Sequence, residues 1–322
     1  MLRLGTLRGL QQCATANGIF TVLALDHRQS LRKALRPDDP GSVGYGELVE
    51  FKQTIVRELA PAASAIVLDP ELGAAQCIAS GSLPGNRGLI VAVEATGFSG
   101  DPGARQSRVL DGWSVGKAKR LGASAVKLLV HYRPDARNAG SQERLVEEVA
   151  RECRAHELAL FLEPVVYAGD DAPLTGDNLR EAVVEAARRL TRLGGDVLKA
   201  QFPCEGAADS AESREACEEL SAASSLPWVL LSGGAAAEVF RAQLEVACRA
   251  GASGMVAGRS LWSEATRLDP ERRQRFLAEE ARSRIEGLAA VCEAHARPWT
   301  AAQPDTPWPE EGWFRAYPGL GD

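Results

Sequence analysis

Short apolar runs alternate along the chain with longer amphipathic stretches, and the alternation has a count of eight. Runs at residues 20–25, 65–68, 89–93, 125–130, 159–162, 197–200, 228–231 and 254–257 are apolar at nearly every position, as strands buried on both faces of a parallel sheet are. Between them, apolar residues recur with a helical period and predict helices over 46–59, 105–121, 142–156, 179–193, 211–223 and 235–249. Leu121-Gly122-Ala123 and Ala250-Gly251-Ala252 supply the glycine that helix C-termini favour. Eight strand-helix units of about 30 residues fit an α/β (β/α)8 TIM barrel. An open doubly wound sheet would more often carry a glycine-rich phosphate loop after its first strand, and no GxGxxG or Walker-type sequence follows any strand here. Residues 269–297, charged and rich in Ala and Leu, predict a long final helix, followed by a tail bearing Pro and Trp. The expected organisation is a barrel over residues 1–268, with residues 269–322 as a C-terminal helix and tail packed on or near it.

Composition narrows the class. The 322 residues are 45% hydrophobic and 25% charged, which is ordinary globular material for one large core. A net charge of -6, with Lys and Arg scattered, leaves no basic footprint for nucleic acid. Residues 1–12 lack the apolar core of a secretory signal, and no apolar run approaches the ~20 residues of a membrane span. The expectation is a soluble cytoplasmic protein with no nucleic-acid or membrane partner. Its seven cysteines are odd in number and show no CxxC pairing, so they read as reduced, mostly buried thiols.

In this fold the active site lies at the carboxyl ends of the strands, and polar residues gather at those ends. The first strand runs into Asp26-His27-Arg28, the fourth contains Lys127 and reaches His131, the fifth ends in Glu163, the sixth carries Lys199, the seventh runs into Ser232-Gly233-Gly234 and the eighth into Gly258-Arg259. Lys199 is the anomaly, because a buried strand should hold only apolar side chains. It is either a lysine snorkelling at a strand end or a nucleophile. Burial disfavours an ammonium, and a second cation ~6 Å away at an effective dielectric of ~20 adds ~3 kcal/mol, about two pKa units. Lys127, on an even strand two away, is placed to be that cation by the layering of inward side chains. A free amine in an apolar pocket attacks a carbonyl to form a Schiff base, and Glu163 on the neighbouring strand can move the protons this requires. The loops after strands seven and eight form the usual phosphate cradle of the fold, with Ser232, Gly233, Gly234 and Arg259 as candidates, unless Ser-Gly-Gly is only a turn.

These segments together resemble the class I tagatose-1,6-bisphosphate aldolase family, including its sulfofructosephosphate aldolase relatives. The resemblance is carried by Leu23-Ala24-Leu25-Asp26-His27-Arg28, Ala125-Val126-Lys127-Leu128-Leu129, Phe161-Leu162-Glu163-Pro164, Asp196-Val197-Leu198-Lys199, the Pro227 to Gly234 segment and Ala257-Gly258-Arg259-Ser260-Leu261-Trp262. It implies that Lys199 forms the Schiff base, that Glu163 and Lys127 assist proton transfer and that Asp26 contacts substrate hydroxyls. It further implies that Ser232, Gly233 and Arg259 hold the 1-phosphate and that Arg28 faces the far end of the sugar, with His131, Gln201 and Gly234 as further substrate-binding positions. The sequence departs from the family at His27, where Gln is usual, and at Gln201, where Glu is usual. Both departures bear on the far end of the substrate.

The expected function is therefore a class I aldolase, a lyase, cleaving a ketose 1-phosphate between C3 and C4. The expected substrate is tagatose 1,6-bisphosphate, giving dihydroxyacetone phosphate and glyceraldehyde 3-phosphate. A sulfofructose phosphate is the alternative, and a non-catalytic sugar-phosphate sensor or a phosphosugar isomerase are readings of other classes. No metal or other cofactor is expected: a zinc aldolase needs clustered ligands, and His27, His131, His156 and His295 show no HxH or HxxxH spacing. Trp299, Trp308 and Trp313 pack either on the chain's own barrel or in a homo-oligomer contact.

Overall fold

The computed structural model describes residues 3–169, 174–205, 210–302 and 309–319. Strands β1 (Phe20–Leu25), β2 (Ala65–Leu68), β3 (Gly88–Ala92), β4 (Ala125–Tyr132), β5 (Ala159–Val166), β6 (Val197–Ala200), β7 (Trp228–Leu231) and β8 (Gly254–Ala257) pair in parallel in chain order, and β8 closes on β1. This is the (β/α)8 barrel that the alternation predicts. Closure brings β8 very near β1: a Cβ on Gly254 would stand 1.9 Å from the Phe20 carbonyl oxygen, and its φ of +131° also demands glycine. β4 and β5 run past their expected ends at 130 and 162, and this extension carries His131 and Glu163 on regular strand geometry.

Period-two alternation divides each strand between two cores. Phe20, Val22 and Ala24 of β1 point into the barrel with Val67, Ile90, Phe161, Val229 and Val256. Leu23 and Leu25 point outward, to the layer under the surrounding helices. Helix α1 (Leu4–Cys13), which the sequence pattern did not signal, adds Leu10 and Cys13 to the inner core. Trp299 of the tail is buried there as well, its ring 6.5 Å from that of Phe20. Trp313 is partly exposed and packs edge-on against Tyr317, whose hydroxyl donates to Glu157. Trp308 lies outside the described residues.

The helices follow as α2 (Gln29–Leu35), α3 (Tyr45–Leu59), α4 (Ala74–Ala79), α5 (Val115–Leu121), α6 (Ala139–Ala155), α7 (Gly176–Leu190), α8 (Ala211–Ala223), α9 (Ala237–Arg249), α10 (Arg259–Trp262), α11 (Pro270–Phe276) and α12 (Arg282–His295). The helix expected over 105–121 is a correction, since only its second half forms. Gly112 takes a φ of +74°, and Ser114 then caps α5 by accepting the Lys117 N–H at 3.2 Å. Residues before that point belong to a loop with antiparallel bridges between Glu94 and Val109 and between Ser99 and Gln106. The long final helix is α11 and α12 joined through a π-helical turn at Leu277–Ala281, and α12 packs against α9 and α3. All seven cysteines carry free thiols, and all but Cys204 are buried. Among the described residues, no helix is long and apolar enough to cross a membrane.

Candidate active site

A cavity of about 390 Å³ opens at the carboxyl ends of the strands. Asp26, Arg28, Lys127, His131, Glu163, Lys199, Gln201, Ser232, Gly233, Gly234 and Arg259 all line it, joined by Glu94, Thr96 and His27. Strand register explains the convergence. Ala92 pairs with Lys127, Leu129 with Glu163, and Leu162 with Leu198, so Glu163 and Lys199 stand side by side one step further on. Inward alternation then aims Lys127, Glu163 and Lys199 at one point. β1 ends at Leu25, and beyond it Asp26, His27 and Arg28 all reach the cavity, so the strand alternation that would turn His27 away does not continue.

The centre of the site is an ion cluster. Glu163 Oε1 lies 2.8 Å from Lys199 Nζ, and Glu163 Oε2 lies 2.9 Å from Lys127 Nζ. Lys127 Nζ is also 2.6 Å from Asp26 Oδ2 and 2.6 Å from Glu94 Oε1. Two lysine amines thus face three carboxylates, almost out of contact with solvent: Lys127 is 2% exposed, and Glu163 and Lys199 are 6% each. Burial alone would lower the Lys127 pKa, but Asp26, Glu163 and Glu94 outweigh it and hold the ammonium well above its ordinary value. Burial would raise the Asp26 carboxyl, yet Lys127, Lys199 and His27 hold it well below the carboxylate range. Glu163 is lowered in the same way, by Lys127 and then Lys199 against burial.

This arrangement corrects the expected role of Lys127. It is not a bare cation raising the potential at Lys199, because Glu163 stands between the two amines and Asp26 and Glu94 neutralise Lys127 further. Low local dielectric strengthens each of these pairs, so the carboxylates dominate the field around Lys127. Glu94 was absent from the sequence-based candidates. The apolar run of the third strand ends at Val93, and its alternation through Ile90 and Ala92 carries on to point Glu94 inward.

The remaining candidates form two flanks. On the β7–β8 side, Ser232 Oγ accepts the Gly258 N–H at 3.2 Å, and Arg259 Nη2 donates to the Gly233 carbonyl at 2.9 Å. Gly233 and Gly234 have φ of +58° and +88°, and a Cβ on Gly234 would meet the Arg259 guanidinium at 2.9 Å. Glycines in this geometry leave backbone N–H groups open to an anion. On the β1–β3 side, Arg28 Nη1 lies 2.6 Å from Glu71 Oε2, and Nη2 donates to the Glu94 carbonyl at 2.8 Å. No periodic pattern in the sequence singles out Glu71.

At the rim, His131 Nδ1 is 3.2 Å from Ser107 Oγ, and its backbone N–H donates to the same hydroxyl. Gln201 Oε1 accepts the Val166 N–H at 2.7 Å, which ties the end of β6 to β5 at the cavity wall. Burial lowers the His27 pKa to about 4, with Arg259 and Lys52 reinforcing and Asp26 opposing. Burial and then Arg105 lower His131 to about 4 as well. Both imidazoles are therefore neutral near pH 7.

Comparison with known proteins agrees with this architecture. Residues 20–264 match the model of the DeoC/LacD family of aldolases. Tagatose 1,6-diphosphate aldolase 2 of Streptococcus pyogenes serotype M1 is 30% identical over 317 residues, covering 89% of this chain and 94% of the relative. Tagatose 1,6-diphosphate aldolase 1 of the same serotype is 31% identical over 309 residues, covering 88% and 94%. An archaeal fructose 1,6-bisphosphate aldolase shares the fold at a TM-score of 0.61 and 20% identity, over 89% of this chain and 98% of that one. Fructose-bisphosphate aldolase of Plasmodium falciparum does so at 0.68 and 15% identity, over 90% and 94%. The chain belongs to the DeoC/LacD family and is a class I aldolase, a lyase.

Proposed function

We propose that the protein cleaves tagatose 1,6-bisphosphate to dihydroxyacetone phosphate and glyceraldehyde 3-phosphate through an imine on Lys199. The observation that carries this reading is the 2.8 Å contact between Lys199 Nζ and Glu163 Oε1, with Lys127 on the other carboxylate oxygen. Glu163 takes the proton that frees the Lys199 amine, and the amine attacks C2 of the ketose. Proton return from Glu163 expels the C2 oxygen as water and leaves a protonated imine. That imine accepts the C3–C4 bonding electrons as Glu163 removes the C4 hydroxyl proton, so the aldehyde departs and an enamine remains. Protonation at C3 and hydrolysis then release dihydroxyacetone phosphate and restore Lys199.

Lys127, held as an ammonium by three carboxylates, keeps Glu163 oriented for its proton transfers. Asp26 is within reach of substrate hydroxyls along the cavity wall. Ser232, Gly233, Gly234 and Arg259 receive the 1-phosphate, and Arg28 on the β1–β3 side receives the second phosphate. The choice of tagatose 1,6-bisphosphate rests on the names of the relatives. The cycle uses side chains alone, with no step assigned to a metal. Free thiols throughout suit a reducing cytoplasm.

Incubation with dihydroxyacetone phosphate and borohydride tests the reading: one reduced adduct on Lys199 is expected. Absence of an adduct, or an adduct on Lys127, overturns the assignment.

A further inference from the structure

Arg28 and Arg259 both line the cavity but stand in different surroundings. Arg259 is exposed, whereas Arg28 is 8% exposed with both terminal nitrogens engaged, by Glu71 and by the Glu94 carbonyl. Glu71 is itself 48% exposed and does not line the cavity. The pair is asymmetric: a buried cation facing the ligand space, backed by a half-solvated carboxylate. The Glu71 backbone is fixed, because Asp69 Oδ1 accepts the N–H groups of Glu71 and Leu72 at 3.0 and 2.7 Å. The other Asp69 oxygen is held by Lys52 in a fully buried ion pair. Only the Glu71 side chain has room to turn.

A buried guanidinium without a counter-charge is strongly disfavoured, so some anion must stay beside Arg28 throughout the reaction cycle. We propose that Glu71 is an exchangeable counter-ion: the anionic far end of a substrate replaces it on Arg28, and its carboxylate turns to solvent. This rests on the reading of the cavity as a ketose-phosphate aldolase site and makes Glu71 a specificity-determining residue. An anionic far end competes with Glu71, while a neutral far end leaves the pair intact. Glu71 therefore moderates the preference for doubly anionic substrates that Arg28 creates.

The test compares kcat/KM for a ketose 1,6-bisphosphate and for the ketose 1-phosphate with a neutral far end, in the wild type, Glu71→Gln and Arg28→Gln. The ratio of the two values should rise about fivefold in Glu71→Gln, the scale of one partly exposed ion pair, and should fall below the wild-type ratio in Arg28→Gln. Melting temperature in sulfate gives a second readout that does not depend on turnover: sulfate should raise the melting point of Glu71→Gln more than that of the wild type. A purely structural role for Glu71 would lower stability without changing the substrate ratio. A ratio unchanged or lowered in Glu71→Gln, or equal sulfate shifts, overturns the counter-ion role. If the wild type itself yields no borohydride-trapped adduct, it is the imine reading of the site that fails.

Discussion

Glu163 and Lys199 meet at 2.8 Å inside the barrel, and the second oxygen of the same carboxylate faces Lys127 at 2.9 Å. One side chain thus touches both amines. A proton passing from Lys199 to Glu163 neutralises a buried pair, while Lys127 remains charged by virtue of Asp26 and Glu94. The two lysines are chemically distinct for that reason, although both sit on inward positions of even strands.

Replacing Lys199 by alanine should abolish borohydride trapping and lower cleavage by more than about 10³-fold, since no other amine at the centre is free of a carboxylate cage. Binding of the 1-phosphate should persist, measured by calorimetry with dihydroxyacetone phosphate. Wild-type activity should be unaffected by EDTA. Comparable cleavage by the alanine variant would exclude the imine route.

Glu163→Gln retains shape but removes the proton acceptor, so kcat should fall by about 10²–10⁴ while KM changes little. Single-turnover trapping should show slow imine formation. A KM effect alone would assign Glu163 to binding.

Lys127→Met leaves Asp26, Glu94 and Glu163 converging with no shared cation, and loss of one partner from a buried cluster costs about 3–5 kcal/mol. The melting temperature should fall, and the carboxylate pKa values should rise, moving the acid limb of the pH–rate profile to higher pH. The trapped adduct should remain on Lys199. A variant as stable as the wild type would show that the cluster is not held together by Lys127.

His27 and His131 titrate near 4 in the folded protein and near their ordinary value, about 6.5, when unfolded. Between these values the unfolded chain binds more protons, so stability is fully present above about pH 6.5 and declines as pH falls towards 4. Each contributes roughly 1–3 kcal/mol over that window, allowing for partial exposure. The lowered pKa values of Asp26 and Glu163 extend the loss below the ordinary carboxylate range. Urea unfolding of His27→Asn between pH 7 and 4.5 should show a shallower decline than the wild type, and parallel curves would refute the contribution.

Arg259→Gln should raise KM for a ketose 1-phosphate about 10–100-fold and leave kcat nearly unchanged, because the proposed role of the guanidinium is to hold a phosphate that does not react. Steady-state kinetics on the phosphorylated substrate decide this, and a loss confined to kcat would place Arg259 at the reacting centre instead.

Periodicity along the chain was enough to count eight strands, to close them into a barrel and to aim Lys127, Glu163 and Lys199 at one cavity. Which face a residue occupies follows from local backbone geometry, and the β4–β6 register converts that into neighbours. What surrounds each charge was decided by barrel closure. Glu94 reaches Lys127 across the β3–β4 pair, Asp26 reaches it from the end of β1, and Glu71 meets Arg28 through a turn anchored by Asp69 and Lys52. These contacts join residues 17 to 101 positions apart, and no periodic signal links them. Hence the sequence alone determined that Lys199 lies in a polar barrel mouth, but only the tertiary structure showed that its neighbour Lys127 is enclosed by three carboxylates. Electrostatic roles depend on distances of a few ångströms between distant segments, and it is the folded barrel that sets those distances.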